Sequence, residues 1–197
     1  MGAEKYLKQI ESLFSKSPVV SYSSIQRIVN HKKSVKGYSK RLVFELIKRG
    51  KIKRLTKGHY TKLNDSSLAI FCFQPAYLGL QDALSFHNLW EQETIPIIIT
   101  TKKVRQGIRK ILGTNVLIRR IKNKYLFGIE YNQEGKIALP YSDIEKTFID
   151  MIYFNENINQ EVIKEIRKRI NKKKLKLYLK KYPKKIYKLI NKRYNIL

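Results

Sequence analysis

Ten side chains between Tyr38 and Tyr60 form the densest chemistry in this sequence: Tyr38, Ser39, Lys40, Arg41, Lys48, Lys53, Arg54, Lys57, His59 and Tyr60. All are hydrogen-bond donors or cations and none is an acid, so the partner they suit is a polyanion. Arg41 is the candidate for reading a base, because a guanidinium pairs bidentately with guanine in the major groove. The lysines act as point charges and suit phosphates.

A second set invites hydrolytic chemistry. Asp143, Glu145 and Asp150 with Lys146, or Glu134-Gly135-Lys136, could in principle hold a divalent ion for DNA cleavage. Each has a simpler reading. Glu134 and Gly135 close the run Asn132-Gln-Glu-Gly, a turn by composition, and Glu145 falls in the first turn of a predicted helix, where acids are favoured. His31, His59 and His87 are far apart without ligand spacing, and Cys72 is a lone thiol in an apolar run. No metal, no cofactor and no catalytic residue is therefore expected, and the chain reads as a non-enzyme.

The elements that must position the first set follow from periodicity. Glu4 to Phe14 spaces Tyr6, Leu7, Ile10, Leu13 and Phe14 as one helix, and Ile25, Ile28 and Val29 make a second near residues 22–30, with serines available to cap it. Over Ser39 to Arg49, Leu42, Val43, Leu46 and Ile47 share one face and Lys40, Arg41, Glu45 and Lys48 face water. Gly50 stops that helix, and Lys51–Leu55 and His59–Leu63 flank Thr56-Lys57-Gly58 as a short basic hairpin. Three helices and a hairpin match the plan of a winged helix-turn-helix, whose third helix enters the major groove. Such modules also dock proteins, and a charge run can simply be a solvated face.

Downstream, Leu68–Gln74 and Ile95–Thr101 read as buried strands and Leu80–Leu89 as a helix. Val116–Ile121 and Tyr125–Ile129 read as a hairpin, and Lys136–Leu139 as a strand that Pro140 ends. Ser142–Phe154 reads as a helix, with Ser142 and Glu145 at capping-box spacing. From Asn155 the sequence is lysine-rich helix, with Asn159 as a cap and a final helix after Pro183. The expected fold class is α+β: a winged helix-turn-helix over residues 1–65, a mixed α/β domain over 66–155 and a helical extension over 156–197.

Charge follows this division. The chain carries 42 Lys+Arg against 15 Asp+Glu, a net +27. Residues 1–65 hold 16 basic and 4 acidic groups, 66–155 hold 11 and 8, and 156–197 hold 15 and 3. Lysine-rich codon bias would raise Glu as well, so it does not explain the missing acid. The charge at both ends suggests a two-ended grip on nucleic acid, although the C-terminal helices could equally dock on a partner or an anionic surface, and their apolar stripe reads most simply as packing against the middle domain. On this reading, removing residues 156–197 should weaken binding without changing site preference. No apolar run approaches the ~18 residues of a membrane span and no signal-peptide core is present, so a cytoplasmic protein without a membrane partner is expected.

Four segments carry a family resemblance. Tyr77-Leu-Gly-Leu-Gln-Asp-Ala-Leu-Ser-Phe-His-Asn-Leu, Ile97-Ile-Ile-Thr-Thr-Lys, Phe127-Gly128 and Asp143-Ile-Glu-Lys-Thr-Phe-Ile-Asp150 together resemble the AbiEi-like antitoxins of abortive-infection systems. The resemblance covers roughly residues 5–155 and departs in the lysine-rich last 40 or so. It implies a transcriptional autorepressor that binds repeats in its own promoter as double-stranded DNA, with a homodimer on DNA left open. It also implies opposition to a nucleotidyltransferase-like toxin, without assured direct contact. The alternatives are a metal-dependent DNA nuclease targeted by the N-terminal module, and a stand-alone DNA-binding regulator.

Overall fold

Amphipathic spacing builds the N-terminal elements where the sequence places them. The computed structural model describes residues 4–30, 37–134, 137–194 and 196. Helix α1 spans Glu4–Lys16, strand β1 Val20–Ser21, α2 Tyr22–Asn30 and α3 Tyr38–Lys48, followed by β2 Lys53–Thr56 and β3 His59–Thr61. The expected connection from His31 to Gly37 lies, but for Gly37, outside the described residues. Ser21 starts α2, its hydroxyl accepting from the Ser24 amide at 3.1 Å. Gly50 ends α3 at φ +67°, a conformation only glycine takes without strain, while the Gly50 and Lys51 amides cap the carbonyls of Ile47 and Leu46 at 2.9 Å. Strand β3 lies between β1 and β2, both antiparallel to it, with Val20 opposite Tyr60 and Arg54 opposite Tyr60 on the other side. Tyr6, Ile10, Ile25, Val29, Leu42, Val43, Leu46 and Ile52 fill the core beneath.

The apolar run expected as a strand is not one. Ser66–Cys72 is a 3-10 helix that buries Leu68, Ala69, Ile70 and Cys72. Short apolar runs do not distinguish strand from helix, and Asp65, whose carboxylate accepts the Ser67 amide at 2.8 Å, biases this one to turn. The buried thiol is as expected.

The second sheet is mixed. Its strands are β4 Ala76–Leu78, β5 Ile97–Thr100, β6 Gly107–Ile111, β7 Thr114–Arg120, β8 Ile129–Glu134 and β9 Ile137–Ser142, in the spatial order β6-β7-β5-β4-β9-β8. Strands β4 and β5 pair antiparallel and β5 and β7 parallel; β4 and β9 are parallel and β8 and β9 antiparallel. The hairpin expected between Val116–Ile121 and Tyr125–Ile129 is absent: β7 neighbours β6, and β8 pairs with β9. Asn123–Tyr125 is a 3-10 turn that sends Tyr125 into the core, stacked on Tyr182 at 4.3 Å. Strand β9 also continues through Pro140, opposite Tyr131, because proline's fixed φ suits extended backbone even where it removes a donor.

Helices α4 Gln81–Phe86, α5 Ile144–Tyr153, α6 Gln160–Arg169, α7 Lys172–Leu179 and α8 Lys184–Tyr194 complete the chain. The cap of α5 is Asp143, not Ser142; Asp143 accepts the Lys146 amide at 2.7 Å, while the Ser142 hydroxyl bonds Thr147. Asn159 caps α6 as expected and Asn171 caps α7.

The division of the chain differs from the three-part expectation. Two compact units form, Met1–Cys72 with Lys110–Thr114 and Phe73–Arg109 with Asn115–Leu197. The lysine-rich helices belong to the second unit because their apolar stripe, Val162, Ile163, Ile166, Leu175, Leu179, Ile186 and Ile190, shares one core with Tyr77, Phe148 and Ile149. No described helix is long and apolar enough to cross a membrane.

Candidate nucleic-acid interface

Helix α3 turns Leu42, Val43 and Leu46 inward, and what remains faces solvent. Lys40, Arg41 and Lys48 are exposed, as expected. Between them stands Phe44, 63% exposed, with Ile47 at 37%. At i±3 and i±4 these five are helix neighbours, so the outward face of α3 is an aromatic centre with an aliphatic edge and three cations around it. The acid on this helix, Glu45, is half-buried and engages Arg49 at 3.8 Å. This face therefore presents net positive charge.

The hairpin adds further donors within the same unit. Lys53, Arg54 and Lys57 are exposed; Lys53 donates to Asn64 at 3.0 Å and Arg54 to the Thr56 carbonyl at 3.3 Å. His59 is half-buried, with Nδ1 3.1 Å from the Thr56 hydroxyl. Tyr38 is half-buried and meets the Tyr6 ring edge-to-face at 5.9 Å.

Two of the ten sequence candidates turn inward. Ser39 is buried, its hydroxyl 2.7 Å from that of Tyr22, and ties α2 to α3 instead of facing a ligand. Tyr60 is buried in the first core, where burial raises its hydroxyl pKa against the opposing pull of Arg54. Phe44 and Ile47 are the residues that periodicity missed or misplaced. The available signal was that Phe44 lies off the apolar stripe, four residues from Lys40 and four from Lys48.

Of the acids that invited a nuclease reading, Asp143, Glu145 and Asp150 lie in the second unit, each engaged by a lysine. Lys146 and Asp150 are completely buried, one turn apart on α5, with Nζ 2.5 Å from the carboxylate. The hydroxyls of Tyr77, 2.5 Å, and Tyr182, 2.8 Å, donate to the same carboxylate. Lys146 also donates to both tyrosine oxygens, at 2.7 and 2.9 Å. Burial lowers the Lys146 pKa against the opposing charge of Asp150. Burial and that same carboxylate push both tyrosines upward, which keeps their protons in place.

At the start of α5, Lys174 bridges Asp143 at 3.1 Å and Glu145 at 2.9 Å. Burial alone would lower its pKa, but the hydrogen bonds to Glu145 and Asp143 outweigh that and raise it. Tyr178 donates to Asp143 at 2.9 Å and is pushed up to about 12 by burial and that bond. Gly128 sits against this corner at φ +65°, and a Cβ there would lie 2.9 Å from the Lys146 Cβ and 2.8 Å from the Tyr178 ring. Residues of the Tyr77, Phe127-Gly128 and Asp143–Asp150 segments thus converge on one ionic centre. Of the other sequence suggestions, His31 and the Gly135-Lys136 pair lie outside the described residues. His87 is buried and bonds the Ser142 carbonyl at 2.8 Å. Among the described residues no group of three His, Cys, Asp or Glu is placed to hold a metal.

Helix α8 carries a second basic surface, where Lys184, Lys185, Lys188, Lys192 and Arg193 line a shallow groove with Leu189. No protein-family model matches the chain, and no curated protein matches it.

Proposed function

We propose that the first unit is a winged helix-turn-helix that reads duplex DNA through α3, with β2, β3 and their turn as the wing. The observation that carries this is the solvent face of α3, where Lys40, Arg41 and Lys48 surround Phe44 while the acid of the helix is occupied by Arg49. Cations at the rim neutralise phosphate and Arg41 has the geometry to contact a base. The net +27 of the chain supports a polyanionic partner. The reading in full is a DNA-binding transcriptional autorepressor, acting in the cytoplasm as antitoxin to a nucleotidyltransferase-like toxin. The antitoxin part rests on the resemblance of the four segments, three of which meet here at a buried structural centre. Carboxylates committed to Lys146 and Lys174 support a regulator over a nuclease.

The test is selection from a random-centre duplex library with full-length protein, followed by salt titration on the enriched duplex. Enrichment of a defined site is expected, with log K falling about 0.9 per neutralised phosphate per decade of salt. Absence of enrichment, or a flat salt response, would defeat the reading. Cleavage of the duplex with magnesium or manganese, abolished by Glu145→Ala, would replace it with the nuclease. Co-expression with a neighbouring nucleotidyltransferase-like reading frame tests the antitoxin part separately.

A further inference from the structure

A phenylalanine stands in water at the middle of α3, with cations around it. Phe44 is 63% exposed, and Ile47, one turn on, is 37% exposed, while the inward face of α3 is already filled by Leu42, Val43 and Leu46. Core packing therefore does not explain Phe44. Its immediate helix neighbours are Lys40, Arg41 and Lys48, all exposed. An apolar centre ringed by cations suits a surface that is anionic at its edges and apolar in places between them.

The major groove has that character: phosphates line it on both sides, and each thymine projects a C5-methyl group into it beside the base-pair acceptors. A phenylalanine makes apolar contact with that methyl, and a helix-wide groove admits the α3 face. RNA lacks this methyl, and its A-form major groove is too deep and narrow for side chains to read. A protein partner that buried Phe44 would need acids opposite Lys40, Arg41 and Lys48 as well as an apolar pocket, whereas the groove of DNA supplies both features without further requirement.

We infer that Phe44, supported by Ile47, is a specificity-determining residue that selects thymine through its methyl group. This rests on the DNA-reading assignment above and adds a base identity to it. It divides labour on α3 between Arg41 for a purine edge, Phe44 for a pyrimidine methyl, and Lys40 and Lys48 for the backbone.

The experiment uses full-length protein and the duplex enriched by selection, with each thymine replaced singly by deoxyuridine, which removes only the methyl. For the unaltered protein, one or two positions should weaken binding about fourfold, the value of one buried methyl-sized group. Phe44→Ala should bind more weakly but show no deoxyuridine penalty at those positions, and Phe44→Leu should retain part of it. Because Phe44 is exposed, both variants should keep the parent thermal transition. If deoxyuridine has no effect at any position, or if Phe44→Ala keeps the penalty, the inference fails while DNA reading stands. A change of sedimentation mass in Phe44→Ala with an unaltered deoxyuridine profile would mark the patch as a self-association face and overturn it. Failure to enrich any duplex would defeat the DNA-reading assignment and this inference with it.

Discussion

Lys146→Met is expected to destabilise the second unit by about 3–5 kcal/mol, the usual cost of removing one member of a buried ion pair. Asp150 is completely buried, and without Lys146 its charge would keep only the hydroxyls of Tyr77 and Tyr182 as partners. Methionine fills the space but offers no donor. The double variant Lys146→Met, Asp150→Leu should recover part of the loss, since no charge is then left unpaired. Recovery should be incomplete, because the two tyrosine hydroxyls would themselves be buried without an acceptor, at about 1–3 kcal/mol each. Adding Tyr77→Phe and Tyr182→Phe to the double variant should recover more. Urea unfolding followed by tyrosine fluorescence measures the series. A cost below about 1 kcal/mol for Lys146→Met would mean that the centre is hydrated and that the ionic pair does not organise the core.

That centre also marks the limit of what the sequence discloses. The Lys146–Asp150 pair is legible as an i,i+4 pair on one helix, and the helices of the first unit, including the stop at Gly50, follow from local spacing and backbone chemistry. Tyr77 and Tyr182 join it from 73 and 32 residues away from Asp150, and no local pattern announces such a meeting. Ser39 and Tyr60 read as ligand-facing groups in the sequence because their types donate hydrogen bonds; only the packing of α2 against α3, and of β3 between β1 and β2, turns them inward. Phe44 was invisible for the opposite reason, since an apolar residue is expected inside. The 3-10 segment Ser66–Cys72 and the β6–β7 pairing depend on which strands find each other, and short apolar runs do not encode that choice. The choice between Ser142 and Asp143 as cap differs by one residue, within the usual uncertainty of helix ends.

Ending the chain after Asn155 is expected to unfold the second unit outright, because the apolar stripe of the lysine-rich segment is part of its core. The segment contributes Val162, Ile163, Ile166, Ile170, Leu175, Leu179, Tyr182, Ile186, Ile190, Tyr194 and Ile196 to the shared core. At about 1.5–3 kcal/mol for each buried side chain, the loss exceeds about 15 kcal/mol and matches or surpasses the whole stability of an ordinary domain. It would also remove Tyr182 from Asp150 and Lys174 from Asp143 and Glu145. Circular dichroism and protease resistance of the truncated chain are the measurements, and a truncated chain that keeps a cooperative transition for residues 73–155 would refute the shared core. Since truncation confounds folding with charge, the affinity of this segment has to be read another way. Lys184, Lys185, Lys188 and Lys192 are exposed on one side of α8 while Ile186 and Ile190 face inward, so changing all four to Gln leaves the core intact. If that face lies on DNA, the salt slope should fall by about 0.9 for each lysine that neutralised a phosphate, with preference between sites unchanged. An unchanged slope would restrict the electrostatic grip to the first unit and leave the α8 lysines as the solvated side of a packing helix.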